Sequence, residues 1–261
     1  MFANYHTHTA RCHHATGEDK AYVEAAIQNG FQVLGFSDHC PWIFSDGYVS
    51  PIRMTPDELD GYVTSLTALK KEYAADITIY IGLESEYVPE SEYVPEMLPE
   101  QQKFLQDYPI DYQILGEHFL YPEQRGIYTG KPTDNAAELK HYVDQVIAGM
   151  ETGNYLYLAH PDLFHFIGDP ALYEQEFRRL CVCLKEKQIP IEINQLGLAD
   201  HRQYPNPAFL KIAESVGNTA IIGCDAHHPS ALLDTDSQQA CKKLAEQYHL
   251  PLVEVFPQLS R

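Results

Sequence analysis

Short apolar runs alternate with longer amphipathic stretches along this chain. Seven runs read as buried parallel strands: about Ala3–His8, Val33–Asp38, Thr78–Glu84, Tyr112–Glu117, Tyr155–His160, Pro190–Asn194 and Ala220–Asp225. Apolar or β-branched residues dominate most of them, as in strands covered on both faces. Helical patterns fill the intervals. Thr16-x-x-Asp19 resembles a helix cap, and Gly30 stands where that helix should stop. Thr55-Pro56-Asp57-Glu58 offers an N-cap threonine, proline in the first turn and a glutamate three residues on. Asp134 can cap a helix running to about Glu151, and further helices are expected over about Leu172–Lys187, Pro207–Val216 and Ser237–Tyr248. Seven β–α repeats predict an α/β fold with a parallel sheet, open or closed as a barrel.

Composition narrows the picture. The chain has 261 residues, of which 44% are hydrophobic, enough for one large core. No Gly/Ser/Pro-rich linker interrupts it, so one domain over 1–261 is expected. No run of about 18 apolar residues suggests a membrane span, and Met1-Phe2-Ala3-Asn4-Tyr5-His6 does not read as a signal peptide, so a cytoplasmic location is expected. The net charge is −19, with 37 acidic against 18 basic residues. Nucleic-acid affinity rests on Lys/Arg–phosphate contacts, so DNA or RNA is disfavoured as a partner. A small anionic substrate stays open if metal ions reverse the local field. The six cysteines form no CxxC pair and read as reduced packing residues, although Cys12, Cys40 and Cys224 lie near histidines.

The placement of the 13 histidines carries more than their number. His6 and His8 lie two apart on the first strand, so both rings can converge on one ion. His39, Glu84, His118 and His160 each stand at or just past the end of a later strand, and Asp225 and His227 do so after the last. In a parallel β/α architecture the carboxyl ends of all strands share one side, where ligands bind. One such histidine reads as structural. So many imidazoles and carboxylates on one face are costly to bury unless a cation pairs with them. The donor set suits zinc, iron or manganese, and its lack of cysteine argues against a closed structural zinc site. Glu84 is the expected bridge between ions. Residues 84–96 read ESEYVPESEYVPE, a tandem duplication in which Glu90 copies Glu84, but only Glu84 follows an apolar strand.

The ordered motifs resemble the polymerase-and-histidinol-phosphatase (PHP) superfamily, and within it the histidinol-phosphatase branch. The resemblance spans nearly the whole chain. It rests on Tyr5-His6-Thr7-His8-Thr9, Gly35-Phe36-Ser37-Asp38-His39, Gly82-Leu83-Glu84, Gly116-Glu117-His118-Phe119, Ala159-His160-Pro161-Asp162, Glu192-Ile193-Asn194 and Asp225-Ala226-His227. It implies a distorted (β/α)7 TIM-like barrel with two or three divalent ions. His6, His8, Glu84 and Asp225 would hold one ion; Glu84, His118 and His160 a second; His39, His227 and an early-loop residue a third. His14 best matches that last position, with His13 adjacent. Cys224 departs from the serine usual in the family, and strand alternation should turn it away from the site.

The implied reaction is hydrolysis of L-histidinol phosphate to L-histidinol and phosphate, a step of histidine biosynthesis. Glu84, Asp225, His227 and Asp162 are the expected catalytic residues, the last two as candidate acids. Arg53, Tyr121, Arg125 and Asn194 are the expected substrate contacts. Competing readings are a phosphoesterase for another small ester or nucleotide, a non-catalytic metal-binding protein, and a barrel with structural histidines.

Overall fold

A computed structural model describes residues 2–44, 46–89, 103–124 and 126–259. Four parallel strands run in sequence order: β1 (Ala3–Asn4), β2 (Val33–His39), β3 (Thr78–Ser85) and β4 (Tyr112–Leu115). The β2–β3 register carries Val33 opposite Thr78 and ends with His39 opposite Glu84. Leu158 then bridges Leu115 on one side and Ile191 on the other. Through Leu158 the sheet reaches β7 (Ile191–Asn194), which pairs in parallel with β8 (Ala220–Gly223). A parallel bridge from Thr7 to Ala226 brings the last strand back to the first. The result is a distorted TIM-like barrel.

The fifth and seventh apolar runs yield less strand than expected, for a local reason. His160 has φ 27° and Asp225 φ 50°, left-handed values that no strand ladder accepts. The chain leaves the sheet just where it presents these side chains. Residues 155–160 therefore join by bridges and hydrogen bonds without forming a continuous ladder. An antiparallel hairpin of β5 (Phe119–Leu120) and β6 (Ile127–Tyr128) adds to the parallel β–α pattern.

Helices cover the barrel. Among the described residues they include α1 (Asp19–Gln28), α2 (Leu59–Glu72), α3 (Ala136–Glu151), α4 (Pro170–Glu186), α5 (Gln195–Ala199), α6 (Pro207–Val216) and α7 (Thr235–Gln247). The Thr55–Glu58 capping box forms, with Thr55 N–H donating to Glu58 Oε2 at 2.8 Å. Two expected caps shift: Glu18 rather than Thr16 precedes α1, and Asn135 rather than Asp134 caps α3. Tyr22, Phe36, Tyr62 and Ile81 knit α1 and α2 to β2 and β3, while Val143, Phe177, Ile191 and Phe209 knit α3, α4 and α6 to the far side. Among the described residues no helix is long and apolar enough to cross a membrane.

Inside the barrel, Gly35 and Gly82 make room for a plug. A Cβ at Gly35 would fall 2.3 Å from Tyr112 Oη, and one at Gly82 2.5 Å from the same ring. The Tyr112 hydroxyl lies 2.7 Å from the Tyr5 carbonyl oxygen, closing the floor under Glu84.

Candidate metal centre

Glu84 stands near the end of β3 at the centre of the barrel mouth, 1% exposed. Its two oxygens serve different neighbours. Oε1 faces His160 Nε2 at 2.8 Å and His118 Nε2 at 3.5 Å. Oε2 faces His39 Nδ1 at 3.3 Å, His6 Nε2 at 3.4 Å and His8 Nε2 at 3.5 Å. Asp225 Oδ1 approaches His8 Nε2 at 3.1 Å, His227 Nδ1 at 3.4 Å and His6 Nε2 at 3.5 Å. Across the mouth His227 Nε2 and His14 Nε2 lie 3.0 Å apart. The barrel thus gathers His6, His8, His14, His39, Glu84, His118, His160, Asp225 and His227 around one centre.

The close approach depends on missing side chains. A Cβ at Gly116 would fall 2.0 Å from Glu84 Oε1. His13 turns outward, its Nε2 3.8 Å from Glu58, whereas His14 groups with His39 and His227. The Cys12 sulfur lies close enough to His8 and His227 to join a donor set. Cys224 packs into the core, as alternation predicts.

Behind the rings stands a layer that the sequence reading did not single out as functional. His6 Nδ1 meets Glu192 Oε1 at 2.8 Å, His118 Nδ1 meets Glu86 Oε1 at 2.9 Å, and His8 Nδ1 meets Asp38 Oδ1 at 3.3 Å. A carboxylate on the far nitrogen fixes the tautomer and turns the other lone pair inward. His6 Nε2, His8 Nε2, His39 Nδ1 and Glu84 Oε2 are buried and make no hydrogen bond. Four orphaned polar atoms gathered at one centre are costly to leave without a partner. The donors present therefore fit divalent metal ions, and five donor groups, one of them including Cys12, can be drawn among the described residues.

The two buried carboxylates of the cluster are held ionised. Burial opposes charge on Glu84, but His118, His6 and His160 hold it well below the usual carboxylate range. Burial likewise opposes charge on Asp225, and His6, His8 and His227 outweigh it. Burial and the neighbouring His8 push His227 down to about 3, leaving a ring that offers a lone pair.

A cavity of about 570 Å³ opens above the cluster. Ile52, Phe119, Leu163 and Leu196 give it apolar walls, and Tyr128 and Tyr204 add two aromatic rings. Arg202 is the only Lys or Arg among the described residues that line it. Its Nη2 donates to Asp200 Oδ2 at 2.9 Å and its Nη1 to the Tyr204 hydroxyl at 3.2 Å. The one signal for Arg202 was its place a few residues past the Glu192-Ile193-Asn194 motif, on the loop after the short helix α5.

The expected substrate contacts fare differently. Arg53 is 2% exposed and lies behind His118, paired with Glu86 and Glu123, so its donors are not offered to the cavity. Tyr121 is 42% exposed and stacks on His141, outside the cavity lining. Arg125, like Glu90, lies outside the described residues. Asn194 is buried beneath the centre, its Nδ2 donating to Glu192 and to Asp225 Oδ2 at 3.1 Å. Asp162, raised to about 7 by burial, accepts from the Asn206 N–H and does not line the cavity.

A parallel β/α barrel with imidazoles and carboxylates converging at its carboxyl-terminal mouth defines a metal-dependent enzyme scaffold. The chain belongs to the PHP domain family, whose model matches residues 4–196. It is 27% identical over 236 residues to a Deinococcus radiodurans protein described as "Probable histidinol-phosphatase", covering 86% of this chain and 85% of that one. It is 33% identical over 121 residues to the histidinol-phosphatase of Bacillus subtilis, covering 44% and 43% of the two chains. A structure of histidinol phosphate phosphatase from Lactococcus lactis, complexed with zinc, L-histidinol and phosphate, superimposes with a TM-score of 0.71 at 19% identity, covering 98% of this chain and 97% of that one. That last likeness is one of fold.

Proposed function

We propose that this protein is a histidinol-phosphatase, a metal-dependent phosphomonoesterase that hydrolyses L-histidinol phosphate to L-histidinol and phosphate. The observation that carries the chemistry is the division of Glu84, whose two oxygens face different sets of imidazoles. That division suits a carboxylate shared between two ions. The substrate assignment draws on the histidinol-phosphatases to which the chain is similar.

Two or three ions, zinc, iron or manganese, would be held by His6, His8, Glu84 and Asp225, by Glu84, His118 and His160, and by His14, His39 and His227. When bound, such ions place positive charge against the phosphoryl oxygens and acidify water. Hydrolysis joins a water oxygen to phosphorus and breaks the ester P–O bond; the histidinol oxygen leaves with a proton. Arg202 supplies the protein's own cation, a planar fork that matches phosphate oxygens. Asp200 beside it can take the substrate's ammonium group, and the aromatic and apolar walls suit a flat imidazole. The net charge of −19 favours a small substrate over a nucleic acid.

The test is steady-state kinetics on L-histidinol phosphate with metal content measured on the same sample. Nucleotides, a phosphotyrosine peptide and an aryl phosphate run alongside. Histidinol phosphate should show the highest kcat/KM. Equal or better turnover of another ester would replace the substrate, and less than one metal per chain would remove the mechanism.

A further inference from the structure

We propose that Glu86 is a positioning residue for the metal centre, and that Arg53 is the clamp that holds Glu86 to this task. The inference rests on the metal-centre reading above and assigns work to two buried side chains that never reach the cavity.

Glu86 follows Glu84 by two residues and is 4% exposed. Each of its oxygens is used. Oε1 lies 2.9 Å from His118 Nδ1 and 2.9 Å from Arg53 Nη2. Oε2 lies 3.0 Å from Arg53 Nη1 and accepts from Trp42 Nε1 at 3.1 Å. Arg53 is committed on its other edge: Nε donates to Glu123 Oε2 at 2.8 Å, and Nη1 also donates to the Cys40 carbonyl at 3.2 Å. Glu123 in turn accepts from Ser50 Oγ at 2.7 Å and the Tyr48 hydroxyl at 3.1 Å. A continuous polar chain therefore runs from the 48–53 strap to a ring that faces Glu84.

The chemistry follows from donor counting. An ionised carboxylate only accepts, so the His118 nitrogen beside Glu86 must carry the ring's hydrogen. Nε2 is then left as the lone pair, and it faces Glu84 Oε1 at 3.5 Å. Arg53 keeps Glu86 from turning away, because both terminal guanidinium nitrogens grip the same carboxylate. The clamp also joins two cavity walls: Ile52 precedes Arg53 in the chain, and Phe119 follows His118. A pair present only to stabilise the fold would not need to end on a ligand ring.

The experiment compares zinc-loaded wild type with Glu86→Gln and Glu86→Asp. Zinc per chain is measured, then the rate of zinc transfer to a chromophoric chelator. In Glu86→Gln one zinc population should leave roughly 10–100-fold faster, and Glu86→Asp should recover part of that loss. A folded Glu86→Gln with wild-type zinc content and transfer rates overturns the proposal alone. Wild type that retains no zinc overturns it together with the metal reading. Should both variants fail to fold, long-range 1H–15N spectra of wild-type holoprotein decide, with His118 assigned through His118→Gln. A ring protonated on Nδ1 and coordinated through Nε2 supports the proposal; one protonated on Nε2 overturns it.

Discussion

His6 Nδ1 and Glu192 Oε1 lie 2.8 Å apart with both side chains fully buried, 186 residues apart in the chain. The pair holds only because Gly223 on β8 has no side chain: a Cβ there would fall 1.7 Å from the same glutamate oxygen. Gly223→Ala should therefore push Glu192 off His6 and lower the metal content of the purified protein. Gly61→Ala is the control, since nothing lies within 4 Å of a Cβ built there. It sits inside α2, where alanine should add about 0.5–1 kcal/mol of stability. Full metal loading of Gly223→Ala would show that the Glu192 contact is dispensable.

Glu84→Gln replaces a shared anion with a neutral amide that faces imidazoles through both of its atoms. Metal content and phosphatase activity should fall together, as elemental analysis and kinetics on one sample can read. Retained activity at full loading would sink the bridging role.

Arg202→Met keeps the length of the side chain and removes its charge. A charge-assisted hydrogen bond contributes about 1.5–3 kcal/mol, so kcat/KM for L-histidinol phosphate should fall about 10–100-fold. Metal content should not change, because Arg202 touches Asp200 and Tyr204 and none of the proposed ligands. An unchanged kcat/KM would remove Arg202 from substrate binding.

Chelation should lower the melting temperature, because it leaves the buried polar atoms of His6, His8, His39 and Glu84 without a partner. Free zinc at 100 times its dissociation constant should add about 2.7 kcal/mol of stability. The gain should fade on acidification, since imidazole ligates only as the neutral ring. Calorimetry with and without zinc at two pH values checks this. A melting temperature indifferent to zinc would mean that the cluster holds no ion in the folded state.

The sequence by itself determined what depends on near neighbours. Alternation put His6 and His8 together, and their rings lie 5.2 Å apart between centroids. The order of strand ends brought His39, Glu84, His118, His160 and Asp225 to one mouth, because parallel strands must share a carboxyl side. The Thr55 capping box was legible because its partners are three residues apart. Only the tertiary structure chose between His13 and His14, since a φ of 66° at His13 reverses the loop there. Only it separated Arg53 from Arg202: an arginine reads the same in sequence whether its donors meet buried carboxylates or an open cavity. And only barrel closure could set Glu192 behind His6, because that contact joins a residue of the first turn of the barrel to one near its end. No local periodicity carries such a pairing. It is decided by which strand lies beside which, and by a glycine that leaves the space.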